Sequence, residues 1–480
     1  MKTKERTPNF MTTDNRRKRR EIQSLSRKAR QCRVPPPNGA MVDKTERQLS
    51  FLPSDYSGYS ATIESVVAPS NMRKAVEAVI RNKGAPGIDG ISTAAIKEVM
   101  QKQWPQIKQA ILDGKYCPSP VKRVGIPKPD GSGIRQLGIP TVMDRIIQQA
   151  LHQELAPVFD PTFSQHSFGF RPKRSAHQAV LQAQAYIHEG CEWVVDIDLE
   201  KFFDKVNHDM LMARVARRVK DKKILLLIRR FLQAGVMEEG LLKATDEGTP
   251  QGGPLSPLLS NIMLDDFDKE LEKRGLRFAR YADDCNIYVK SERAGQRVME
   301  GAVRYLTKEL KLKVNQQKSA VDHPWNRKFL GFTFSEGKAP KRIVVHESRV
   351  KRFKDKIKGI FRKMRGGNLS ENIRRWVMPI TRGWSNYFGL ATERGIFEDL
   401  DGWIRRKMRD LLWRQWKRSR TRYKRLIALG LKAETARRTV RSNKGPWRMS
   451  KTPGMHMAVS NKVIEKMGYV PMTSMVQARS

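Results

Sequence analysis

The stretch that decides the fold of this chain is Arg277-Phe278-Ala279-Arg280-Tyr281-Ala282-Asp283-Asp284-Cys285-Asn286-Ile287-Tyr288-Val289. Apolar residues flank two adjacent carboxylates on both sides, and this pattern predicts a β-hairpin with Asp283 and Asp284 at its turn. Two neighbouring acids repel each other unless a cation or water compensates them. Carboxylate oxygens are the ligands that Mg²⁺ prefers, so a third acid on an adjacent strand would complete a metal-binding set.

A third acid is available upstream, in Trp193-Val194-Val195-Asp196-Ile197-Asp198-Leu199, which has the pattern of a buried strand. Side chains alternate along a strand, so Asp196 and Asp198 face the same side and the spacing leaves both open as the ligand. With the hairpin acids, either one predicts a site for two Mg²⁺ ions. Such a site activates a 3′-hydroxyl and stabilises a pyrophosphate leaving group in nucleotidyl transfer.

The pair Asp265-Asp266 serves as an internal control, because the same dipeptide occurs there in a different context. Leu259, Ile262, Met263, Phe267 and Leu271 recur around it at helical spacing. Neighbouring residues on a helix do not face the same way. We therefore predict that this pair lies on a solvated helix face and binds no metal.

Charge indicates the class of partner. The chain has 480 residues and a net charge of +44, which suggests a polyanion such as a phosphate backbone. Residues 341–450 hold 32 Lys and Arg against nine Asp and Glu, and residues 1–50 hold 14 against five. This distribution predicts a catalytic body between two nucleic-acid-binding flanks. No run of 18 apolar residues is present, so we expect no membrane partner.

The four cysteines lie far apart without zinc-site spacing, and the N-terminus lacks the apolar core of a signal peptide. Both features predict a reduced intracellular setting.

Several further elements are predicted from local patterns. We expect a helix capped by Ser70 or Asn71, a hairpin formed by 121–131 and 135–140, and an amphipathic helix over 144–155. Helical patterns dominate after 345, whereas 446–480 shows little periodicity.

The segment around Asp198 resembles a known protein family. Asp198-Leu199-Glu200-Lys201-Phe202-Phe203-Asp204 resembles the first palm motif of reverse transcriptases, in which an aromatic residue five places after the metal-binding Asp excludes a ribose 2′-OH. Counting from Asp198 reaches Phe203, whereas counting from Asp196 reaches Lys201. The resemblance thus implies that Asp198 is the ligand and Phe203 the sugar gate, and we expect one of the two phenylalanines to lie in the core.

Other blocks follow in reverse-transcriptase order. The segments 248–257, 313–318 and 329–332 resemble the nucleotide-contacting loop, the following lysine motif and the primer-grip hairpin. The resemblance implies that Lys318 protonates the pyrophosphate and that the metal set comprises Asp198, Leu199, Asp283 and Asp284. The substrate contacts that it implies are Lys128 and Arg135 for the triphosphate, Gln251 near the incoming base and sugar, and Tyr281.

Three additional blocks narrow the family. Residues 81–90 resemble an extra fingers block, 144–151 followed by 167–172 resemble another, and Arg382-Gly383-Trp384-Ser385-Asn386-Tyr387-Phe388 resembles the maturase (thumb) domain. Over about 65–445 the chain is similar to group II intron-encoded reverse transcriptase/maturases. Residues 446–480 contain no Cys and only His456, which resembles the endonuclease-lacking, group IIC-like subclass.

The resemblance implies an α+β right-hand polymerase, with fingers and palm built from an antiparallel sheet plus helices and with an α-helical thumb. The expected divisions are a basic arm at 1–60, fingers and palm at 61–340, the thumb/maturase (X) domain at 341–445, and a C-terminal tail at 446–480 that binds DNA and has no endonuclease.

The implied function is that of an RNA-directed DNA polymerase and maturase. It would bind its group II intron RNA, assist splicing and copy the intron into DNA during retrohoming. Its expected substrates and partners are dNTPs, an RNA template–DNA primer duplex and target DNA. The cofactor would be two Mg²⁺ ions, with Mn²⁺ as a substitute. The protein would be located in the cytoplasm of a bacterial-type cell, in association with the nucleoid.

Three alternatives remain open. They are an intron-independent reverse transcriptase (for example in phage defence), an RNA-binding splicing factor with an inactive polymerase, and an RNA-dependent RNA polymerase. The intact maturase-like segment speaks against the first, the complete acid set against the second, and Phe203 against the third.

Overall fold

The structure is a computed structural model that describes residues 60–127, 133–238, 241–243, 248, 252–337 and 341–477. Its N-terminal part contains three helices, a hairpin and a long fourth helix. These elements are α1 (Ile63–Val66), α2 (Pro69–Arg81), α3 (Ile96–Leu112), β1 (Val121–Pro127), β2 (Ile134–Ile139) and α4 (Val142–Phe159).

Helix α2 begins at Pro69 with Ala68 as its N-cap, so the predicted caps at Ser70 and Asn71 are wrong. Proline suits the first helical turn because its missing N–H would have no partner there. Asn71 is buried instead, and its Nδ2 donates to the carbonyl oxygens of Val66 at 2.9 Å and Ala150 at 3.1 Å. This side chain therefore ties α2 to α4.

The predicted hairpin is confirmed, since β1 and β2 pair antiparallel with Gly125 opposite Gln136. It belongs to a four-stranded sheet of order β2-β1-β4-β5, in which β4 (Val236–Glu238) lies parallel to β1 and β5 (Leu241–Lys243) antiparallel to β4. The predicted helix over 144–155 is also confirmed, within α4.

A second four-stranded sheet, the central sheet, is antiparallel with the order β6-β7-β3-β8. Its strands are β3 (Trp193–Ile197), β6 (Arg277–Tyr281), β7 (Asp284–Val289) and β8 (Ala320–Asp322). The accompanying helices are α5 (Ala176–His188), α6 (Phe202–Lys205), α7 (His208–Ala216), α8 (Lys222–Gln233), α9 (Ser256–Lys273) and α10 (Glu292–Lys308). Of these, α5, α9 and α10 contact the sheet. This mixture of mainly antiparallel sheets and helices confirms the α+β prediction.

After a two-stranded sheet of β9 (Phe332–Phe334) and β10 (Ile343–Val345), the chain is helical. We call residues 347–477 the helical region. It contains α11 (Glu347–Lys363), α12 (Leu369–Asn372), a π-helical turn (Ile373–Val377), α13 (Met378–Phe388), α14 (Gly395–Gln415), α15 (Ser419–Ala428), α16 (Ala433–Val440), α17 (Pro446–Met449), α18 (Pro453–Ala458), α19 (Asn461–Lys466) and α20 (Met472–Gln477).

The last four helices pack into the core of the helical region. Buried Asp401 on α14 accepts hydrogen bonds from the Tyr469 hydroxyl at 2.5 Å and from the backbone N–H groups of Met472 at 2.8 Å and Thr473 at 3.0 Å. The sequence pattern did not reveal these helices because segments of four to six residues are too short to show helical periodicity.

The described residues belong to one compact unit. Among them, no helix combines the length and the apolar character needed to cross a bilayer.

Candidate active site

The predicted catalytic hairpin is present. Tyr281 at the end of β6 pairs with Asp284 at the start of β7, which leaves Ala282 and Asp283 as a two-residue turn. Ala282 has a φ of 60°, a left-handed conformation that such tight turns require and that glycine usually supplies. The turn therefore needs support from its surroundings.

That support comes from a buried arginine behind the hairpin. The side chain of Arg280 is 1 % exposed and forms an ion pair with Asp268 on α9. Its Nε donates to Asp268 Oδ1 at 2.7 Å, and its Nη atoms donate to the Ser167 hydroxyl at 2.8 Å and the Asn261 side-chain oxygen at 3.1 Å. A further bond of 2.8 Å reaches the carbonyl oxygen of Ala282. Arg280 thus fixes the strained turn from the inside.

Gly169 supports the same turn from the outside. A Cβ atom at this position would lie 2.3 Å from the backbone nitrogen of Ala282, so no other residue fits without a backbone shift. The Asn261 Nδ2 donates to the Gly169 carbonyl oxygen at 2.8 Å. Asn261 therefore connects the loop around Gly169 to the arginine network.

The acid on the neighbouring strand faces the hairpin. Ile197 pairs with Cys285, so continuing the antiparallel register places Asp198 opposite Asp284. Asp196 is engaged elsewhere, because its Oδ2 accepts from Arg327 Nη2 at 2.6 Å and Nε at 3.0 Å. Among the described residues, Asp198 has no arginine partner of this kind.

The electrostatics of the hairpin indicate crowded negative charge. Burial, followed by repulsion from Asp196, Asp283 and Asp198, raises the pKa of Asp284 well above its usual range. A bound cation would reverse this repulsion, so the donor set fits a divalent metal chemically. Within the described ranges, no three acidic, histidine or cysteine side chains already stand close enough to hold a metal ion.

The segment that carries Lys318 pairs with the end of β3. Asn315 N donates to the Asp198 carbonyl oxygen at 2.8 Å, and Leu199 forms a β-bridge with Val314. This pairing brings Lys318 Nζ to 3.8 Å from Asp198 Oδ2, while the Leu199 side chain is buried. The structure therefore brings Asp198, Leu199 and Lys318 together, as predicted.

The two phenylalanines of the palm motif divide as expected. Phe202 is buried at 2 % exposure, whereas Phe203 is half-buried, and their ring centroids lie 5.3 Å apart. Gly248, the first residue of the segment 248–257, packs closely on the palm motif. Its N–H donates to the Val206 carbonyl oxygen at 2.8 Å, and a Cβ at this position would lie 2.9 Å from the Phe203 carbonyl oxygen.

Three of the predicted substrate contacts have no described side chain. Lys128 and Gln251 lie outside the described residues, and Arg135 lies on β2 with its side chain outside them. Tyr281 is half-buried, with its ring centroid 6.1 Å from that of Phe170.

The prediction that Asp265 and Asp266 lie on a solvated face is wrong. Asp265 is 8 % exposed and pairs with Lys269. Asp266 binds Arg214 Nε at 2.9 Å and Arg217 Nη1 at 2.6 Å, because α9 packs against α7. The two carboxylates do reach different partners, as expected of helix neighbours.

Sequence reasoning missed Arg280, Asp268, Asn261 and Gly169 as supports of the hairpin. One signal was available: an arginine inside an otherwise apolar strand must find a buried partner. The identity of that partner, 12 residues upstream on a helix, could not be read from the pattern.

Two family descriptions match the chain. Residues 126–334 match "Reverse transcriptase (RNA-dependent DNA polymerase)", and residues 350–429 match "Group II intron, maturase-specific domain".

Curated relatives agree with these matches. The chain is 33% identical over 298 residues to "Protein YkfC" of Escherichia coli K12, a match that spans 54% of this chain and 78% of that protein. It is 39% identical over 206 residues to "Group II intron-encoded protein LtrA" of Lactococcus lactis subsp. cremoris, which spans 42% of this chain and 33% of that protein. It is 38% identical over 157 residues to the "Putative COX1/OXI3 intron 2 protein" of Saccharomyces cerevisiae, which spans 32% and 18%. The chain therefore covers a third or less of the latter two relatives. With both domains in this order, the chain belongs to the family of group II intron-encoded reverse transcriptase/maturases.

Proposed function

We propose that this protein is an RNA-directed DNA polymerase that extends a DNA primer on an RNA template, using dNTPs. The observation that carries the proposal is that Asp198 directly follows Ile197, which pairs with Cys285 next to Asp283 and Asp284, and that Lys318 Nζ lies 3.8 Å from Asp198 Oδ2. Carboxylates on adjacent strands with a lysine next to them are the groups that phosphoryl transfer requires.

The metal-holding residues would be Asp198, Asp283 and Asp284, with the backbone of Leu199. Two Mg²⁺ ions held there, or Mn²⁺ in their place, would supply Lewis-acid activation of the primer hydroxyl and charge stabilisation of the departing pyrophosphate. Lys318 donates a proton to the pyrophosphate. Lys128 and Arg135 bind the triphosphate, and Gln251 and Tyr281 position the nucleotide and the primer.

Primer extension on an RNA template tests this proposal. Purified protein should extend an annealed DNA primer with dNTPs, lose activity in EDTA and regain it with Mg²⁺ or Mn²⁺. If folded, RNA-binding protein extends no primer with either Mg²⁺ or Mn²⁺, the polymerase assignment is contradicted. That result would favour a splicing factor with an inactive polymerase.

We expect Phe203→Ala to weaken sugar discrimination. The family resemblance assigns this half-buried ring the role of excluding a ribose 2′-OH. Its removal should therefore raise the rNTP-to-dNTP incorporation ratio by about 10- to 100-fold, a difference of roughly 1.4–2.8 kcal/mol. Steady-state incorporation of each nucleotide class measures this ratio. The buried neighbour provides the control, because Phe202→Leu should cost stability without changing the ratio. An unchanged ratio in Phe203→Ala would show that Phe203 does not exclude the ribose 2′-OH.

We further propose that the protein binds group II intron RNA and assists its splicing, through the helical region in particular. This region is strongly basic and presents cations against indole rings. The Arg406 guanidinium lies 3.6 Å from the Trp447 ring centroid, and Lys407 Nζ lies 4.6 Å from it. Burial and the nearby cations Lys358, Arg414 and Arg362 lower the pKa of Lys407, although Asp410 opposes them. Such an excess of positive charge favours phosphate.

RNA binding should depend steeply on salt. About seven phosphate contacts predict a slope near −6 when the logarithm of the association constant is plotted against that of the salt concentration. Filter binding or fluorescence anisotropy across a salt series measures the slope. A slope near zero would contradict an electrostatic RNA interface.

The same proposal extends to the intron's mobility. Copying the intron into DNA at a target site during retrohoming would make target DNA a partner and would place the protein in the cytoplasm, at the nucleoid. Primer extension together with splicing support in one polypeptide would support this role.

A further inference from the structure

An exposed, strained phenylalanine lies beside the catalytic hairpin. Phe170 is 47 % exposed, and its φ of 58° is in the left-handed region, where the Cβ of an L residue crowds the following carbonyl oxygen. Neither the exposed ring nor the strained backbone stabilises the fold. Strained residues persist only where their surroundings impose the conformation, and they cluster at functional sites.

The residues on either side of Phe170 impose this conformation. Gly169 packs its backbone directly on the turn at Ala282, as described above. On the other side, Arg171 is buried and its Nε donates to Asp160 Oδ1 at 2.7 Å. Arg171 also donates to the carbonyl oxygens of Asp160 at 2.8 Å, Ser164 at 2.5 Å and Ser167 at 3.0 Å. With both neighbours fixed, the phenyl ring is held outward.

The ring faces the hairpin. Its centroid lies 6.1 Å from that of Tyr281 with an interplanar angle of 47°, and Tyr281 immediately precedes the turn that carries Asp283. Tyr281 also packs against the hydrophobic cluster that contains Phe332. Tyr387 packs against the same cluster, with its ring centroid 5.6 Å from that of Phe332. The Tyr387 hydroxyl in turn donates to the Leu330 carbonyl oxygen, in the primer-grip segment, at 2.8 Å. Phe170 and Tyr281 therefore form an aromatic pair next to the turn that carries Asp283.

We propose that Phe170 and Tyr281 form a platform that contacts the terminal base pairs of the template–primer duplex. The proposal rests on the polymerase function proposed above, which requires a primer end at these acids. Nucleobases and deoxyribose present apolar faces that pack on aromatic rings without sequence preference. A rigid ring held outward loses little conformational entropy when the duplex arrives. Phe170 is thus a duplex-binding residue that contacts the primer end directly.

Three variants test the platform against a structural role. Phe170→Gly removes the ring and also relieves the backbone, because glycine accepts positive φ freely. Phe170→Tyr keeps an aromatic ring. Lys173→Gly is the matched control, since Lys173 has a φ of 59° in the same loop and carries no ring. Each is measured at a salt concentration that screens a single lysine–phosphate contact.

The expected results separate binding from stability. Phe170→Gly should raise the Kd and the KM for template–primer by about tenfold, the effect of losing one aromatic stacking contact, with kcat at saturating duplex changed by less than about threefold. Its melting temperature should equal or exceed that of wild type. Phe170→Tyr and Lys173→Gly should bind the duplex within about twofold of wild type. Equal affinity in wild type and Phe170→Gly, or a lowered melting temperature that accompanies the loss, would overturn the proposal.

Cross-linking locates the contact on the duplex. A 5-iododeoxyuridine at the primer 3′ end, or a 5-iodouridine at the paired position of the RNA template, should cross-link to the peptide that contains Phe170, and the product should be lost in Phe170→Gly. The same label six base pairs upstream should not react there. Reaction only from the upstream label would overturn the proposal. A wild-type protein that extends no primer would instead contradict the polymerase function itself.

Discussion

Replacing Asp283 by Asn is expected to abolish primer extension, with a loss of at least about 10³-fold, because a two-metal site cannot form without its carboxylate charge. RNA binding should stay within about twofold of wild type, since the substitution is on a central-sheet turn and leaves the basic helical region unchanged. Single-nucleotide incorporation and RNA anisotropy on the same preparations measure the two quantities. Asp355→Asn, which removes an exposed acid paired with Lys358 on α11, provides a matched control and should retain both activities.

The separation of the two activities is the informative part of this experiment. A folded Asp283→Asn protein that loses RNA binding and splicing support together with extension would contradict separate sites for polymerisation and RNA recognition. Retained extension would remove Asp283 from the metal-binding set.

The second large effect is expected at Arg280. Substituting Arg280 by Met leaves Asp268 as an uncompensated buried charge, and breaking a buried ion pair from one side costs about 3–5 kcal/mol. The bond to the Ala282 carbonyl oxygen is lost as well, so the hairpin should lose its geometry. Denaturant unfolding measures the stability loss, and incorporation assays below the unfolding transition measure the catalytic loss.

A double variant distinguishes the contribution of charge from that of geometry. Arg280→Met with Asp268→Leu replaces both charges by apolar side chains of similar size, which often restores stability. We expect most of the unfolding free energy to return in this variant while incorporation stays impaired, because nothing then binds the turn carbonyl. Full recovery of incorporation along with stability would show that Arg280 acts on the fold alone.

The catalytic hairpin and its strand partner could be predicted because their information is local. An apolar–acid–acid–apolar pattern specifies a turn with two carboxylates, and the strand of Asp198 has its own alternation. The family resemblance, through the spacing to Phe203, implied Asp198 over Asp196. The pairing of Asp196 with Arg327, which is more than 100 residues away in sequence, could not be read from a local pattern.

Other structural features depend on contacts between residues far apart in sequence, which no local sequence pattern predicts. Asp265 is buried, and half-buried Asp266 pairs with Arg214 and Arg217 because α9 packs against α7. The helices of residues 446–477 are stabilised by packing on α14 and by the buried Asp401, since they are too short to be stable or recognisable in isolation. Phe170 was predicted as part of a family block, but its exposure and its left-handed backbone appear only in three dimensions.

The most direct test of the central claim, a polymerase that serves its own intron, is to purify the protein from its native host and sequence the RNA bound to it. The account predicts strong enrichment of one spliced lariat derived from the gene that surrounds the open reading frame. A heterogeneous RNA population, from protein that still extends primers, would contradict the maturase role and favour a reverse transcriptase that acts independently of any intron.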